Sequence, residues 1–320
     1  MTVRRVLVVG YHAAELLDIA CVTSPLIVAN FYAREHLYDV ALATPSARPI
    51  VCGTGLTLQG QQALEKVTGP LDTLIVSGGI GYEDAADSKV VVGHVRRLAR
   101  ESRRVASVCT GAAVLAAAGL LDGRRVTTHW KYARTLAECH PAIQVDADPI
   151  FIRDGHIATA AGVTSAIDLT LAFIEEDNGP ALAREVAREL VTYMQRPGNQ
   201  AQMSMFTEAP PLSDDLVRRV VDHVAANLDA DLTTATLAAA AGVSERHLTR
   251  LFLKHLGLPP GRYVRRARTE AAAHLLASTS LPMATIASRC GFGTAETLRQ
   301  AFVDRYGLPP SRYRLAQSTV

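Results

Sequence analysis

The sequence predicts an α/β domain with a mostly parallel sheet covered by helices on both faces, followed by an all-helical domain holding two helix-turn-helix units. Three observations carry this. Up to about residue 190, short β-branched runs punctuated by Gly or Pro alternate with amphipathic helical stretches, the pattern of parallel strands buried on both faces. Beyond Asp214 the chain reads as helical throughout. One phrase occurs there twice: TRLFLKHLGLPPGRYVR and RQAFVDRYGLPPSRYR each place an aromatic (Phe252, Phe302) at a helix end, then Gly-Leu-Pro-Pro at 257–260 and 307–310, then an Arg-Tyr pair (Arg262 with Tyr263, Arg312 with Tyr313).

In chain order, RRVLVVGY, YDVALATP, LDTLIVSGG, RRVASVC and HIATAAG read as strands. SKVVVGHVRRLARES, GAAVLAAAGLL and SAIDLTLAFIEEDNG read as helices between them, and helical character continues through PALAREVARELVTYM to about Gln195. RPGNQAQMSMFTEAPPLSDD, with its prolines, amides and lack of helical period, is the expected linker. The expected domains are therefore 1–195 and 214–320, joined by 196–213. A chain of 320 residues that is 48% hydrophobic has enough apolar surface for two cores.

Charge divides with the domains. From Pro211 onward there are 14 Lys and Arg against 9 Asp and Glu, a net of +5, while the residues before it sum to −3. A basic bias confined to one end suits a phosphate backbone as partner. The apolar run in MTVRRVLVVGYH is far too short to span a membrane. Five cysteines at irregular spacing (Cys21, Cys52, Cys109, Cys139, Cys290) fit a reducing cytoplasm, and without a CxxC pair no metal is expected; no cofactor is expected either.

In the first C-terminal unit, a helix from about Thr234 to Ala241 is followed by a turn at Gly242 and a helix capped by Ser244. Leu248, Leu251 and Phe252 share the inward face, which leaves Arg246, Thr249 and Arg250 outward, where guanidinium groups suit bidentate contact with guanine. The second unit repeats the plan with Gly291 and Thr294. Its inward residues are Leu298, Ala301 and Phe302, and Glu296, Arg299 and Gln300 face out. Glu296 stands where the first unit has Arg246 and repels phosphate unless it meets a cytosine amine. Between the units, PGRYVRRARTEAAAHLLAS forms one helix of roughly 27 Å, long enough to hold two recognition helices about one DNA turn apart. With IASRCGF and FVDRYGLPPSRYR as its most specific phrases, the stretch 215–316 resembles the AraC/XylS family DNA-binding domain.

In the N-terminal half, RRVASVCTGAAVLAAAGLL puts Cys109 where a strand stops and an alanine-rich helix starts. Such an elbow favours thiolate over thiol at the helix end, and the backbone N–H groups of Thr110 and Gly79 are candidates for an oxyanion or carboxylate cradle. The elbow implies a thiol alkylated ahead of Cys139 and Cys290. VCTGA, GGIG and TTHW together resemble the ThiJ/PfpI superfamily (class I glutamine amidotransferase-like), in the branch fused to AraC-type regulators and related to isocyanide hydratases. The resemblance covers roughly residues 3–190 and implies a flavodoxin-like sheet. It makes Cys109 the family's nucleophilic cysteine, His129 a histidine near it, and Asp18 the acidic residue bonded to the thiol. The loop after Asp18 lacks the branch's usual Gly-Pro, and Thr110 stands where proteolytic relatives place a histidine, which argues against peptidase activity.

The expected function is a sequence-specific DNA-binding transcriptional regulator, not an enzyme, whose N-terminal domain senses a small molecule or redox signal and dimerises. The alternative is a cysteine enzyme of hydratase or amidase type with an appended DNA-binding module. Expected partners are double-stranded DNA, RNA polymerase, a small-molecule effector of unknown identity and a second copy of the chain, with no membrane.

Overall fold

The computed structural model describes residues 3–192, 196, 198, 202 and 214–318. The chain divides into two units, Met1–Gln202 and Met203–Val320. Of the expected linker 196–213, only Arg196, Gly198 and Gln202 are among those described, and the end of the helical stretch at 193–195 lies outside them.

In the first unit the strands are β1 (Arg4–Val9), β2 (Tyr38–Thr44), β3 (Ile50–Val51), β4 (Thr57–Leu58), β5 (Gln62–Ala63), β6 (Leu71–Val76), β7 (Ser102–Val108), β8 (Arg125–Val126), β9 (Gln144–Val145), β10 (Phe151–Asp154) and β11 (Ile157–Ala160). Seven of them form one sheet in the order β10-β11-β7-β6-β1-β2-β5. All its neighbours are parallel except β10 and β11, an antiparallel edge that the sequence pattern did not separate from the parallel strands. The five strands read from sequence are β1, β2, β6, β7 and β11. The inner ones are apolar along their length because helices cover both faces; Val8, Val9, Leu74, Val76, Val105 and Val108 are fully buried.

The helices of this unit are α1 (Leu16–Ala33), α2 (Tyr82–Asp87), α3 (Lys89–Ala99), α4 (Gly111–Ala117), α5 (Trp130–Cys139), α6 (Ser165–Asn178) and α7 (Pro180–Glu189). By length and composition α1 could cross a membrane. Here it packs on β2, α6 and α7, it buries Asp18 and Pro25, and Asn30 ties its last turn to β2 by accepting from Leu37 N and Tyr38 N and donating to Tyr38 O. At the opposite end of the sheet from the site, the Arg104 guanidinium is buried over the Phe173 ring at 4.1 Å and paired with Asp177, which fixes α6 to β6 and β7.

The second unit contains α8 (Asp215–Ala226), α9 (Thr234–Ala240), α10 (Glu245–Leu256), α11 (Pro260–Ser278), α12 (Met283–Arg289), α13 (Ala295–Tyr306) and α14 (Pro310–Ser318). It has two cores. Val217, Leu237, Leu248 and Phe252 pack with Tyr263, Val264 and Ala267 of α11; Ile286, Leu298, Phe302 and Tyr313 pack with Ala272, Ala273 and Leu276 of the same helix. One amphipathic helix thus serves both. The caps match the sequence reading: Ser244 accepts from His247 N, Thr294 forms a capping box with Thr297, and Gly242 and Gly291 take φ of +70° and +72° at the turns.

Candidate functional site

Cys109 sits between β7 and α4 with φ of +55°, a left-handed value for a non-glycine residue, and its N–H donates to Ala160 O. That strained turn is the elbow. Glycines make it possible. A Cβ on Gly78 would lie 2.5 Å from Cys109 Cβ and 2.6 Å from Asp18 Oδ2, one on Gly162 would lie 2.9 Å from Cys109 Cβ, and one on Gly111 would lie 2.4 Å from Val76 O. The backbone therefore closes around the cysteine, which is only 8% exposed.

Asp18 projects from the first turn of α1 and is 1% exposed. Its two oxygens accept from Gly78 N at 3.0 Å and Val163 N at 2.8 Å. Burial pushes its pKa up to about 6, against the pull of those two bonds. The Cys109 thiol is pushed up to about 12, first by burial and then by the charge of Asp18, and Thr110's N–H and hydroxyl offset only part of that. The seven-residue α4 supplies the expected helix end, and burial together with the Asp18 charge opposes its pull on the thiol. Tyr11, equally buried, donates from its hydroxyl to Ser77 O at 2.9 Å, and burial together with the Asp18 charge raises its pKa.

Of the two cradle donors expected from sequence, Gly79 N–H is taken: it donates to Thr110 Oγ1 at 2.9 Å, while the same hydroxyl donates to Gly79 O at 2.9 Å. His129 caps α5, its Nδ1 accepting from Lys131 N at 3.3 Å, and it packs on Trp130 and Tyr132. Burial, then Lys131, lowers its pKa. The structure therefore brings Cys109, Asp18, Thr110 and Gly79 together, and His129 follows Thr128, whose hydroxyl donates to Cys109 O.

Two features escaped the sequence reading. The first is a cavity of about 290 Å³ on the far side of Thr110, lined by Tyr82, Glu83, Thr110, Thr128, Tyr132 and Cys139 among others. Tyr82 and Tyr132 meet edge to face at 5.3 Å. The cavity opens beside the elbow, and the exposed thiol it offers is Cys139. The second is the anchoring of Arg196 and Gln202. Arg196 binds buried Asp168 through its N–H at 2.7 Å and through its guanidinium at 2.7 and 3.0 Å, and reaches Thr164 Oγ1 at 3.0 Å. Burial raises the Asp168 pKa, and Arg196 pulls it back. Gln202 Nε2 donates to Thr127 Oγ1 at 3.0 Å and Thr128 O at 2.8 Å, and its Oε1 accepts from Trp130 N. Both anchors adjoin the elbow, since Val163, beside Thr164, binds Asp18, and Thr128 Oγ1 donates to Cys109 O at 2.7 Å.

On α10, Arg246 and Arg250 are exposed and Thr249 half-buried, with Leu248 and Phe252 fully buried behind them. Arg250 lies within 3.3 Å of His247 Nδ1. On α13, Glu296, Arg299 and Gln300 are exposed as expected, but they are internally satisfied: Arg299 grips Glu296 through both Nε and Nη2, and Gln300 donates to Asp304 at 2.8 Å. The first recognition face offers two cationic side chains without a carboxylate partner among the described residues, and the second a cation paired with Glu296.

Residues 4–176 match the DJ-1/PfpI family and residues 237–316 the helix-turn-helix domain family. The chain is similar to the HTH-type transcriptional regulator CdhR of Pseudomonas aeruginosa, 31% identical over 290 residues, covering 91% of this chain and 85% of that one. The isonitrile hydratase of Pseudomonas putida is 36% identical over 162 residues, but the match covers 48% of this chain and 69% of the enzyme. In fold, the chain resembles the crystal structure of a ThiJ/PfpI family protein from Pseudomonas syringae, with a TM-score of 0.56, 23% identity, and coverage of 76% of this chain and 92% of that one.

Proposed function

Because the chain belongs to the DJ-1/PfpI family and carries a helix-turn-helix domain behind that fold, it is a DNA-binding transcriptional regulator rather than an enzyme, and we propose that its first domain senses a small molecule in the cavity beside Thr110. The observation that carries this reading is the closure of the elbow. A hydratase or amidase needs an ionisable nucleophile and open donors for a developing oxyanion. Here burial raises the thiol's pKa, and Gly79 N–H is occupied by Thr110. A ligand that reaches Thr110 or Thr128 meets the side chains that hold the Gly79 loop and the Cys109 carbonyl. Its signal leaves through Gln202 and Arg196 toward the DNA-binding unit. The effector's identity would come from binding screens of the intact protein, read by a shift in melting temperature that Tyr132→Ala abolishes.

Specific DNA contact is assigned to Arg246, Thr249 and Arg250 of the first recognition helix, with Glu296, Arg299 and Gln300 in a lesser role. Arg250→Ala is expected to weaken binding to the cognate duplex by about 1–3 kcal/mol while leaving random duplex unaffected; equal loss on both, by fluorescence anisotropy, would make Arg250 a phosphate contact only. The setting is the cytoplasm, with RNA polymerase as the further partner at the promoter.

Self-association is the remaining part of the proposal. Ile27 and Phe31, one turn apart on α1, are 51% and 75% exposed, an apolar pair that a two-fold contact would cover. Sedimentation of the full chain at micromolar concentration is expected to give a dimer, which a paired Ile27→Asp, Phe31→Asp variant weakens at least tenfold. A wild-type monomer under those conditions contradicts it.

A further inference from the structure

The two helix-turn-helix units have equivalent turn glycines in unequal surroundings. A Cβ on Gly242 would meet nothing within 4 Å, so in the first unit the glycine serves only the positive φ. In the second unit a Cβ on Gly291 would lie 2.0 Å from Leu228 O, 2.6 Å from Arg268 Nε and 2.7 Å from Arg268 Cζ. Leu228 belongs to the loop between α8 and α9 and packs on the core of the first helix-turn-helix unit. Arg268 belongs to α11 and donates to that loop twice, from Nε to Leu228 O at 2.9 Å and from Nη2 to Ala230 O at 2.7 Å.

Three elements therefore meet at one point: a loop of the first unit, the connecting helix, and the turn that launches the second recognition helix. Arg268 stands between the two sets of apolar residues on α11, the first ending at Ala267 and the second starting at Ala272. The cores are separate, so apolar packing alone leaves their relative rotation about α11 loosely determined. A planar guanidinium that bridges two carbonyls resists that rotation in a way a single ammonium does not. The exposed pair Arg265 with Asp304 joins α11 to α13.

We propose that Arg268, seated against Gly291, is a positioning residue that sets the separation and relative rotation of the two recognition helices, and thereby the spacing between the two DNA elements the chain reads. This rests on the DNA-binding reading given above. DNA turns once in about 10 base pairs, so one inserted base pair moves the second element by about a tenth of a turn. A rigid pair of helices is sensitive to that change and a loose pair tolerates it.

The test uses the full chain. Cognate duplexes are selected from a random pool with the wild-type protein, footprinted, and remade with one base pair inserted or deleted between the two protected elements. Wild type is expected to lose at least tenfold in affinity on either change. Arg268→Ala is expected to bind the native spacing about tenfold more weakly, to lose less than threefold on changing the spacing, and to keep wild-type affinity for a duplex holding only the first element. Arg268→Lys, which keeps the charge but not the fork, is expected to fall between the two, and supplies the comparison should the alanine variant not fold. Arg268 variants with the wild-type spacing preference would overturn the proposal. A wild-type chain indifferent to spacing would also overturn it, and through the two-helix reading itself rather than through Arg268.

Discussion

Iodoacetamide at neutral pH is expected to label Cys139 at least about a hundredfold faster than Cys109. Both thiols belong to the first unit, but Cys139 is exposed at the cavity while Cys109 is 8% exposed. A thiol pushed up to about 12 has roughly a three-thousandth of the thiolate of a free cysteine, whose pKa is near 8.5. Greater intrinsic nucleophilicity at higher pKa returns part of that factor, leaving a chemical deficit of roughly a hundredfold before access is counted. Burial behind Gly78 and Gly162 lowers the rate further. The labelling rate of Cys109 is expected to rise about tenfold per pH unit through the alkaline range, because the group is still below its pKa there. Mass spectrometry of the labelled peptides measures both. Preferential labelling of Cys109 at pH 7 would restore the elbow as a reactive site and revive the enzymatic alternative. Asp18 adds a pH signature of its own. Its folded pKa is raised, so the folded state holds the proton more tightly than the unfolded one. Stability from this group is present below the unfolded value near 4 and is lost as pH rises through about 6.

The second large effect is expected from Arg196→Ala. The Asp168 carboxylate is 2% exposed, and Arg196 supplies three of its hydrogen bonds, one of them from the main chain. Truncation leaves a buried carboxylate without its counter-charge, for which a loss of about 3 kcal/mol is the expected scale. The loss falls on the attachment of the main chain at Arg196, since Asp168 itself stays on α6. Hydrogen exchange at Val163 and Arg196 is expected to quicken, and DNA binding to lose its response to effector while basal affinity persists. If the response survives with its full amplitude, these residues do not carry the signal. Asp168→Asn, which keeps shape and one acceptor, is expected to show the same change in milder form.

The strands and the elbow were legible because their signals are local. β1, β2, β6, β7 and β11 announce themselves by continuous β-branched runs, and VCTGA marks the strand-to-helix step at Cys109. The caps Ser244 and Thr294 and the inward residues Leu248, Phe252, Leu298 and Phe302 follow from helical periodicity alone. What was not legible depends on contacts far apart in the chain. Arg196 is 28 residues from Asp168 and Gln202 is 75 from Thr127, and a Pro- and amide-rich segment gives no local hint of such partners. Tyr82 and Tyr132 meet only because α2 and α5 converge beside α4. The surroundings of Cys109 are hidden for a related reason: the helix end is visible in sequence, whereas the burial comes from Gly78 and Gly162 and the opposing charge from Asp18, three separate stretches. The neutralisation of Arg299 by Glu296 lies three residues apart on one helix, so the sequence displays it, yet its meaning depends on both side chains turning toward each other.

The most direct test of the account is the ratio of affinities of the full-length chain for duplexes selected from a random pool and for unselected duplex, measured from 50 to 200 mM salt. The account expects the selected sites to bind at least about 10³-fold more tightly, with both affinities falling as salt rises and with the added effector changing the specific one. Equal affinities at every salt concentration, unaffected by Arg250→Ala, would contradict it.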